Sequence, residues 1–151
     1  MGKPVRLYGD SCAWLGFLNG EADKKRELEI VYGSAQNGNY ELWTSTLSMV
    51  EVRRLKTEQH DTKLLGDENL KKIRDIFGQP FVKPIPLVQD IAEHARELLR
   101  TTVGLQKFQD AIHLASALRW YVTALHTYDN SDLLHLSDRF ICKNGKALPI
   151  C

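Results

Sequence analysis

Residues 107–138, KFQDAIHLASALRWYVTALHTYDNSDLLHLSD, constrain this chain more than any other stretch. Ala111, Leu114, Ala115 and Leu118 recur at helical spacing and predict a helix with one buried stripe, opening just after Asp110. The apolar run VTALHT, residues 122–127, is short enough for a buried strand and delivers a second acid, Asp129, at its exit. In open α/β sheets the ligand crevice lies outside the carboxyl ends of the strands, so an acid just past a strand end stands where ligands bind. Two carboxylates distant in sequence are thereby brought within reach of one another.

The same arrangement recurs at the start of the chain. Residues 5–9, with Val5 and Leu7 on one side, read as a strand that ends directly in Asp10. A helix is expected over 12–19, stopped by Asn19-Gly20, and a second over 21–36 with Leu28, Val31, Tyr32 and Ala35 on its apolar side. Its basic triplet, Lys24, Lys25 and Arg26, is expected to face solvent. A strand over 41–44 leads to a helix start at 45–48 that carries Glu51 and continues through MVEVRRLKTEQH. Asp67 then reads as the cap of ENLKKIRDIF, with Leu70, Ile73 and Phe77 as its stripe, so these two helices form a plausible hairpin. Pro84 and Pro86 suit 81–87 to an edge strand or bent connection. A further helix has Ile91, Ala92, Ala95, Leu98 and Leu99 on its apolar side, and the tail FICKNGKALPIC offers one last short strand around an Asn144-Gly145 turn. Strands alternating with helices imply βα units, hence a three-layer α/β/α fold with a mostly parallel central sheet.

With 151 residues, 43% hydrophobic and 26% charged, the chain matches one compact domain rather than two. A formal net charge of +1 argues against non-specific coating of nucleic acid while leaving room for a basic rim around an acidic pocket. Cys12, Cys142 and Cys151 lack C-x-x-C spacing and suggest neither a disulfide framework nor a zinc site, which fits reduced thiols in the cytoplasm. No apolar run approaches a membrane span, and MGKPVRLYGD runs straight into a strand with no signal-peptide core.

On this reading Asp10, Glu51, Asp110 and Asp129 can all line one crevice. Two carboxylates about 4 Å apart repel by roughly 4 kcal/mol at an effective dielectric near 20. Such a cluster must raise some of its own pKa values or recruit a cation, and carboxylate oxygens favour hard ions such as Mg²⁺ or Mn²⁺. An ion held this way can generate a nucleophile from water and stabilise charge on a phosphoryl oxygen, which is phosphodiester hydrolysis. Each acid also has a plainer role. Asp110 can cap its helix, Ser48-x-x-Glu51 fits a capping box, and Asp10 and Asp129 can initiate turns. The functional case rests on their joint placement.

Other motifs are weaker. His113 lacks a partner His at i+4 and reads as a core or rim histidine; His60, His94, His126 and His135 are scattered. Arg53, Arg54 and Lys56 lie just beyond Glu51 and, beside a real crevice, are the best candidates for phosphate contacts. No G-x-x-x-x-G-K-[ST], G-x-G-x-x-G or G-x-S-x-G occurs, which removes nucleotide-loop and serine-hydrolase readings. A haloacid-dehalogenase-like site wants an acid two residues after Asp10, where Cys12 stands.

Four blocks in order, VRLYGDSCAWLGFLNGE, TSTLSMVEVRRL, FQDAIHLASAL and LHTYDNSDLLHLS, resemble those of a PIN domain, and more narrowly those of VapC-type toxins of toxin–antitoxin pairs. The resemblance spans nearly the whole chain. It implies a metal-dependent endoribonuclease with Asp10, Glu51, Asp110 and Asp129 around Mg²⁺ or Mn²⁺, and with Ser11 and Thr127 as flanking hydroxyls. It also implies an RNA substrate, a homodimer and a separately encoded antitoxin. Many relatives carry another acid two residues after the last Asp, followed by Phe; here Ser131 precedes Asp132 and Leu133, which leaves Asp132 as an alternative to Asp129. A PIN nuclease of RNA processing without a toxin role, and a non-catalytic PIN-like binding module, are the rival readings.

Overall fold

The computed structural model describes residues 3–58, 67–128 and 132–151. Each predicted strand joins one sheet: β1 (Val5–Gly9), β2 (Tyr40–Ser45), β3 (Val82–Ile85) and β4 (Ala124–His126). Their order is β3-β2-β1-β4, and every one of these pairings is parallel, in line with the mostly parallel sheet read from the sequence. Parallel neighbours need crossovers, which the helices supply. Helices α1 (Ser11–Asn19) and α2 (Ala22–Gln36) carry the chain from β1 to β2. The short α3 (Leu47–Glu51) and α4 (Asp67–Phe77) stand between β2 and β3, while α5 (Gln89–Thr101) and α6 (Phe108–Arg119) return it from β3 to β4 on the far side of β1. That reversal puts the topological switch point between β1 and β4.

Two cores flank the sheet. Tyr8, Ile85 and Leu125 pack with α5 and α6, where Ile91, Ala95, Leu98, Leu114 and Leu118 are buried. On the other face Leu42 and Val82 pack with Trp14, Ala35, Ile73 and Ile76 from α1, α2 and α4. β1 divides its side chains by alternation: Tyr8 faces the first core and Leu7 packs against the second. Helix α6 is buried continuously from Ala111 to Leu118 rather than along one stripe, because it is covered by both the sheet and α5. Pro84 of β3 pairs with Thr44 of β2, and β3 is an edge strand, as a proline within it requires.

Local expectations change at five places. Helix α6 starts at Phe108 with Lys107 as an extended cap, so Asp110 is its third residue and not its cap. Helix α3 stops at Glu51 because Val52 leaves helical geometry to bury its side chain, and Leu55 follows it into the core. A single 3-10 turn, Lys56–Glu58, comes next, its first amide held by Asn19 Oδ1 at 2.8 Å; the long helix through this segment and the hairpin it implied are not formed in the described residues. The Ser48-Glu51 capping box is also absent: Ser48 lies inside α3 and its hydroxyl pairs with Thr44 at 2.6 Å. On α4, Ile73 and Ile76 are buried while Leu70 is exposed, shifting the stripe by one step. β4 is shorter than 122–127, since Val122 is still tied to Ala117 in the turn that ends α6. Arg26 is exposed as expected; the side chains of Lys24 and Lys25 lie outside the described residues.

The last short strand of the tail exists as backbone pairing alongside β4. Leu125 donates to Pro149, Cys151 donates to Leu125, and Thr127 donates to Cys151, a parallel ladder at 2.8–2.9 Å.

Candidate active site

Asp10 follows β1 directly, at the switch point, and is 3% exposed. It caps α1 with an extended backbone, its Oδ1 accepting the Ala13 amide at 3.1 Å and its carbonyl the Trp14 amide at 3.3 Å. Oδ2 accepts the hydroxyl proton of Thr127, which leaves β4 on the other side of the switch point. Each strand at the crevice thus contributes one half of a hydrogen-bonded pair. Burial pushes the Asp10 carboxyl above its ordinary value, against the opposing pull of the Thr127 hydroxyl, the nearby His113, the Ala13 amide and His126.

Glu51 enters from the end of α3. Its Oε1 lies 2.6 Å from His113 Nε2, and its Oε2 accepts a longer bond from the Ser11 hydroxyl at 3.4 Å. His113 is one helical turn after Asp110 on α6, so both residues present the same side of the helix. Asp110 is half-buried, with Oδ2 inside the protein. Its place in the first turn of α6 puts its carboxylate where the helix dipole favours negative charge. Lys107, at the cap of α6, bonds Asp132 at 2.7 Å and draws the segment after β4 toward the same helix start. Asp129 lies outside the described residues.

Three of the acids therefore come from three separate places, the exit of β1, the end of α3 and the first turn of α6, and side-chain hydrogen bonds connect these elements. Among the described residues, no three His, Cys, Asp or Glu side chains are gathered closely enough to hold a metal ion. A hard divalent cation still fits the donors present. They are carboxylate oxygens, the most buried of them is raised in pKa by lack of solvent, and magnesium is commonly held by one or two carboxylates with waters completing its shell. Arg53 and Arg54 are exposed, set between the buried anchors Val52 and Leu55, and Lys56 is exposed at the following turn.

Sequence reasoning passed over the joints between these acids. His113 was legible as a buried histidine, but its partner Glu51 is 62 positions away and no local spacing announces the pair. Its other neighbour, Tyr8, sits inside β1 and looks like an ordinary core aromatic. Two hydroxyls, Thr44 and Ser48, are likewise buried beside the crevice, and Thr44 donates to the Gly9 carbonyl at 2.8 Å.

A family model described as "PIN domain" matches residues 7–137. No curated protein matches the chain in sequence. Among solved structures, the chain is similar to a VapC toxin of Mycobacterium tuberculosis described as cleaving the sarcin–ricin loop, with TM-score 0.65 and 17% identity over 82% of this chain and 90% of that one. It is similar to a VapBC complex of Rickettsia felis bound to a promoter DNA fragment, with TM-score 0.64 and 13% identity over 97% and 98% of the two chains. A toxin–antitoxin complex of Klebsiella pneumoniae gives TM-score 0.57 and 21% identity over 83% and 88%.

Proposed function

The chain belongs to the PIN domain family, and on that premise we propose that it is a metal-dependent endoribonuclease acting as the toxin of a toxin–antitoxin pair. The observation that supports this reading is the buried Asp10 at the switch point, hydrogen-bonded to Thr127 from β4, together with Glu51 bonded to His113, which stands one helical turn after Asp110 on α6. Relatives in the family are nucleases, and the solved structures it resembles come from toxin–antitoxin systems.

In this proposal Asp10, Glu51, Asp110 and Asp129 hold Mg²⁺ or Mn²⁺, with Asp132 as the substitute for Asp129. When bound, the ion supplies a water nucleophile at neutral pH and neutralises charge building on the phosphodiester. The chain's own groups prepare for this. Thr127 and the Ala13 amide fix both oxygens of Asp10, so the carboxylate does not have to be ordered when substrate arrives. Ser11 and His113 fix Glu51 in the same way. Arg53, Arg54 and Lys56 supply positive charge for the RNA backbone next to the acids, whose own field repels it. An antitoxin is the expected protein partner, and a homodimer the expected assembly.

Asp10→Asn or Asp110→Asn is expected to lower RNA cleavage by at least about 10²-fold, as loss of a charge-stabilising group does, and to relieve growth arrest on expression, with the far-UV circular dichroism unchanged. Full cleavage by either variant, or a wild-type protein that neither cuts RNA nor binds Mn²⁺, removes the proposal. Cleavage without growth arrest keeps the nuclease and removes the toxin.

A further inference from the structure

The contact between His113 and Glu51 belongs to a longer chain of groups that leads away from the crevice into the core. Tyr8 is fully buried, His113 is 1% exposed and Ser45 is fully buried, yet all three carry polar atoms, and burying such atoms is costly unless each finds its partner. The Ser45 amide donates to the Tyr8 hydroxyl oxygen at 3.0 Å. That hydroxyl lies 2.6 Å from His113 Nδ1, and His113 Nε2 lies 2.6 Å from Glu51 Oε1. The direction of these bonds is constrained at both ends, by the Ser45 N–H, which can only donate, and by the Glu51 carboxylate oxygen, which accepts. An amide N–H can only donate, so the Tyr8 oxygen accepts there and its own proton is available for Nδ1. With Nδ1 accepting, the proton of the neutral ring stands on Nε2 and points at Glu51.

We propose that His113 is a positioning residue: Tyr8 holds it in the Nε2–H tautomer, and the imidazole in turn fixes the orientation of the Glu51 carboxylate in the crevice. The inference rests on the nuclease reading for its consequence, though not for its geometry. Glu51 needs such a holder. It stands at the last residue of a five-residue helix, its side chain is 21% exposed, and its other bond, from Ser11, is long. The ring is itself pinned, edge-on to Tyr8 with centroids 5.7 Å apart and planes at 71°. The Ser116 hydroxyl on α6 also lies beside the phenol. The opposite tautomer would send the Tyr8 proton toward Ser116 and leave Nε2 bare against a carboxylate.

Two measurements test this. Nitrogen-15 imidazole spectra of the wild-type protein at about pH 8, above the ordinary histidine value, are expected to show His113 protonated on Nε2; protonation on Nδ1 overturns the proposal. Mn²⁺ titration of the protein without RNA, alongside cleavage kinetics, then compares His113→Leu, His113→Gln and Tyr8→Phe. Outer groups that orient metal ligands are typically worth about 10- to 100-fold in affinity or activity, and a loss of that size is expected in both Mn²⁺ affinity and kcat for His113→Leu, with KM for RNA unchanged. His113→Gln keeps an N–H donor near the Nε2 position and is expected to recover most of the loss, which a purely structural histidine would not show. Tyr8→Phe keeps the ring but frees its tautomer, and is expected to broaden or shift the His113 signals and weaken Mn²⁺ binding. Undiminished Mn²⁺ affinity in both His113→Leu and Tyr8→Phe overturns the proposal. A wild-type protein that binds Mn²⁺ through the predicted tautomer yet cuts no RNA supports the pairing and removes only the ribonuclease.

Discussion

The two faces of the sheet are built differently. On the α5–α6 side, a helix buried over eight consecutive residues lies against the strands, and Tyr8, Leu114, Leu125, Leu133 and Leu136 are completely enclosed. On the α1–α2 side fewer residues are fully buried. Half-buried aromatics do much of the packing, including Phe17 stacked on Tyr32 with centroids 4.7 Å apart, and an apolar cavity of about 40 Å³ remains between Trp14, Phe17, Leu28, Val31 and Leu42. Each face gives the proposed site one wall: α6 with Asp110 and His113 on the tight side, and the head of α1 with Asp10 and Ser11 on the looser one. A rigid wall suits groups that must hold an angle. The looser wall is suited to adjusting, because its groups are fewer in contact and nearer to solvent.

This contrast is breakable, and the largest effect is expected on the tight side. Leu114→Ala should cost about 2–5 kcal/mol in denaturant unfolding, the usual penalty for emptying an enclosed leucine site. A cost near zero there would mean that α6 is not the rigid element. Thr127→Val, which removes the hydroxyl from Asp10 at the seam between the walls, should cost roughly 1–3 kcal/mol as the loss of a hydrogen bond to a charged group, and should reduce Mn²⁺ affinity as well. Val31→Ala on α2, at the rim of a space already underfilled, should cost about 1 kcal/mol or less. Hydrogen exchange sharpens the same point: amides in α6 should open only with global unfolding, and those in α2 at lower free energy.

The smallest effect, and the most diagnostic for the seam, is electrostatic. Burial raises the Asp10 pKa, so the folded state prefers the protonated acid more than the unfolded chain does. Stability from this group is therefore fully present below the ordinary aspartate value of about 3.9 and is lost as pH rises through the elevated folded value. Without divalent ions, Asp10→Asn should raise the Tm at neutral pH while removing cleavage, and should flatten this part of the pH dependence. Added Mn²⁺ should raise the wild-type Tm more than that of the variant.

Much of the frame was readable because it is local. The bounds of β1 follow from an apolar alternation ending in Gly9, α1 ends where Gly20 takes a left-handed backbone at φ 60° after Asn19, and β3 sits at an edge, as Pro84 within it requires. The segment after Glu51 misled because Val52 and Leu55 are three apart, a spacing a helix would also use, although here an irregular turn brings both inward. Asp110 misled in a similar way: an acid before an apolar run looks like a cap, whereas Lys107 and Phe108 had already begun the helix. The bonds that organise the crevice were hidden for another reason. Asp10 with Thr127, and Glu51 with His113, are partners across 117 and 62 positions, and only the crossover that reverses the sheet brings them together.

The ladder formed by residues 149–151 carries a mechanical implication. Thr127 reaches Asp10 with its hydroxyl while its amide is tied to Cys151, so the segment 149–151 is a guy-rope on the strand that braces the buried acid. Substitutions that break the pairing of Ile150 and Cys151 would slacken that rope and turn the proposed site down without altering a single acidic side chain.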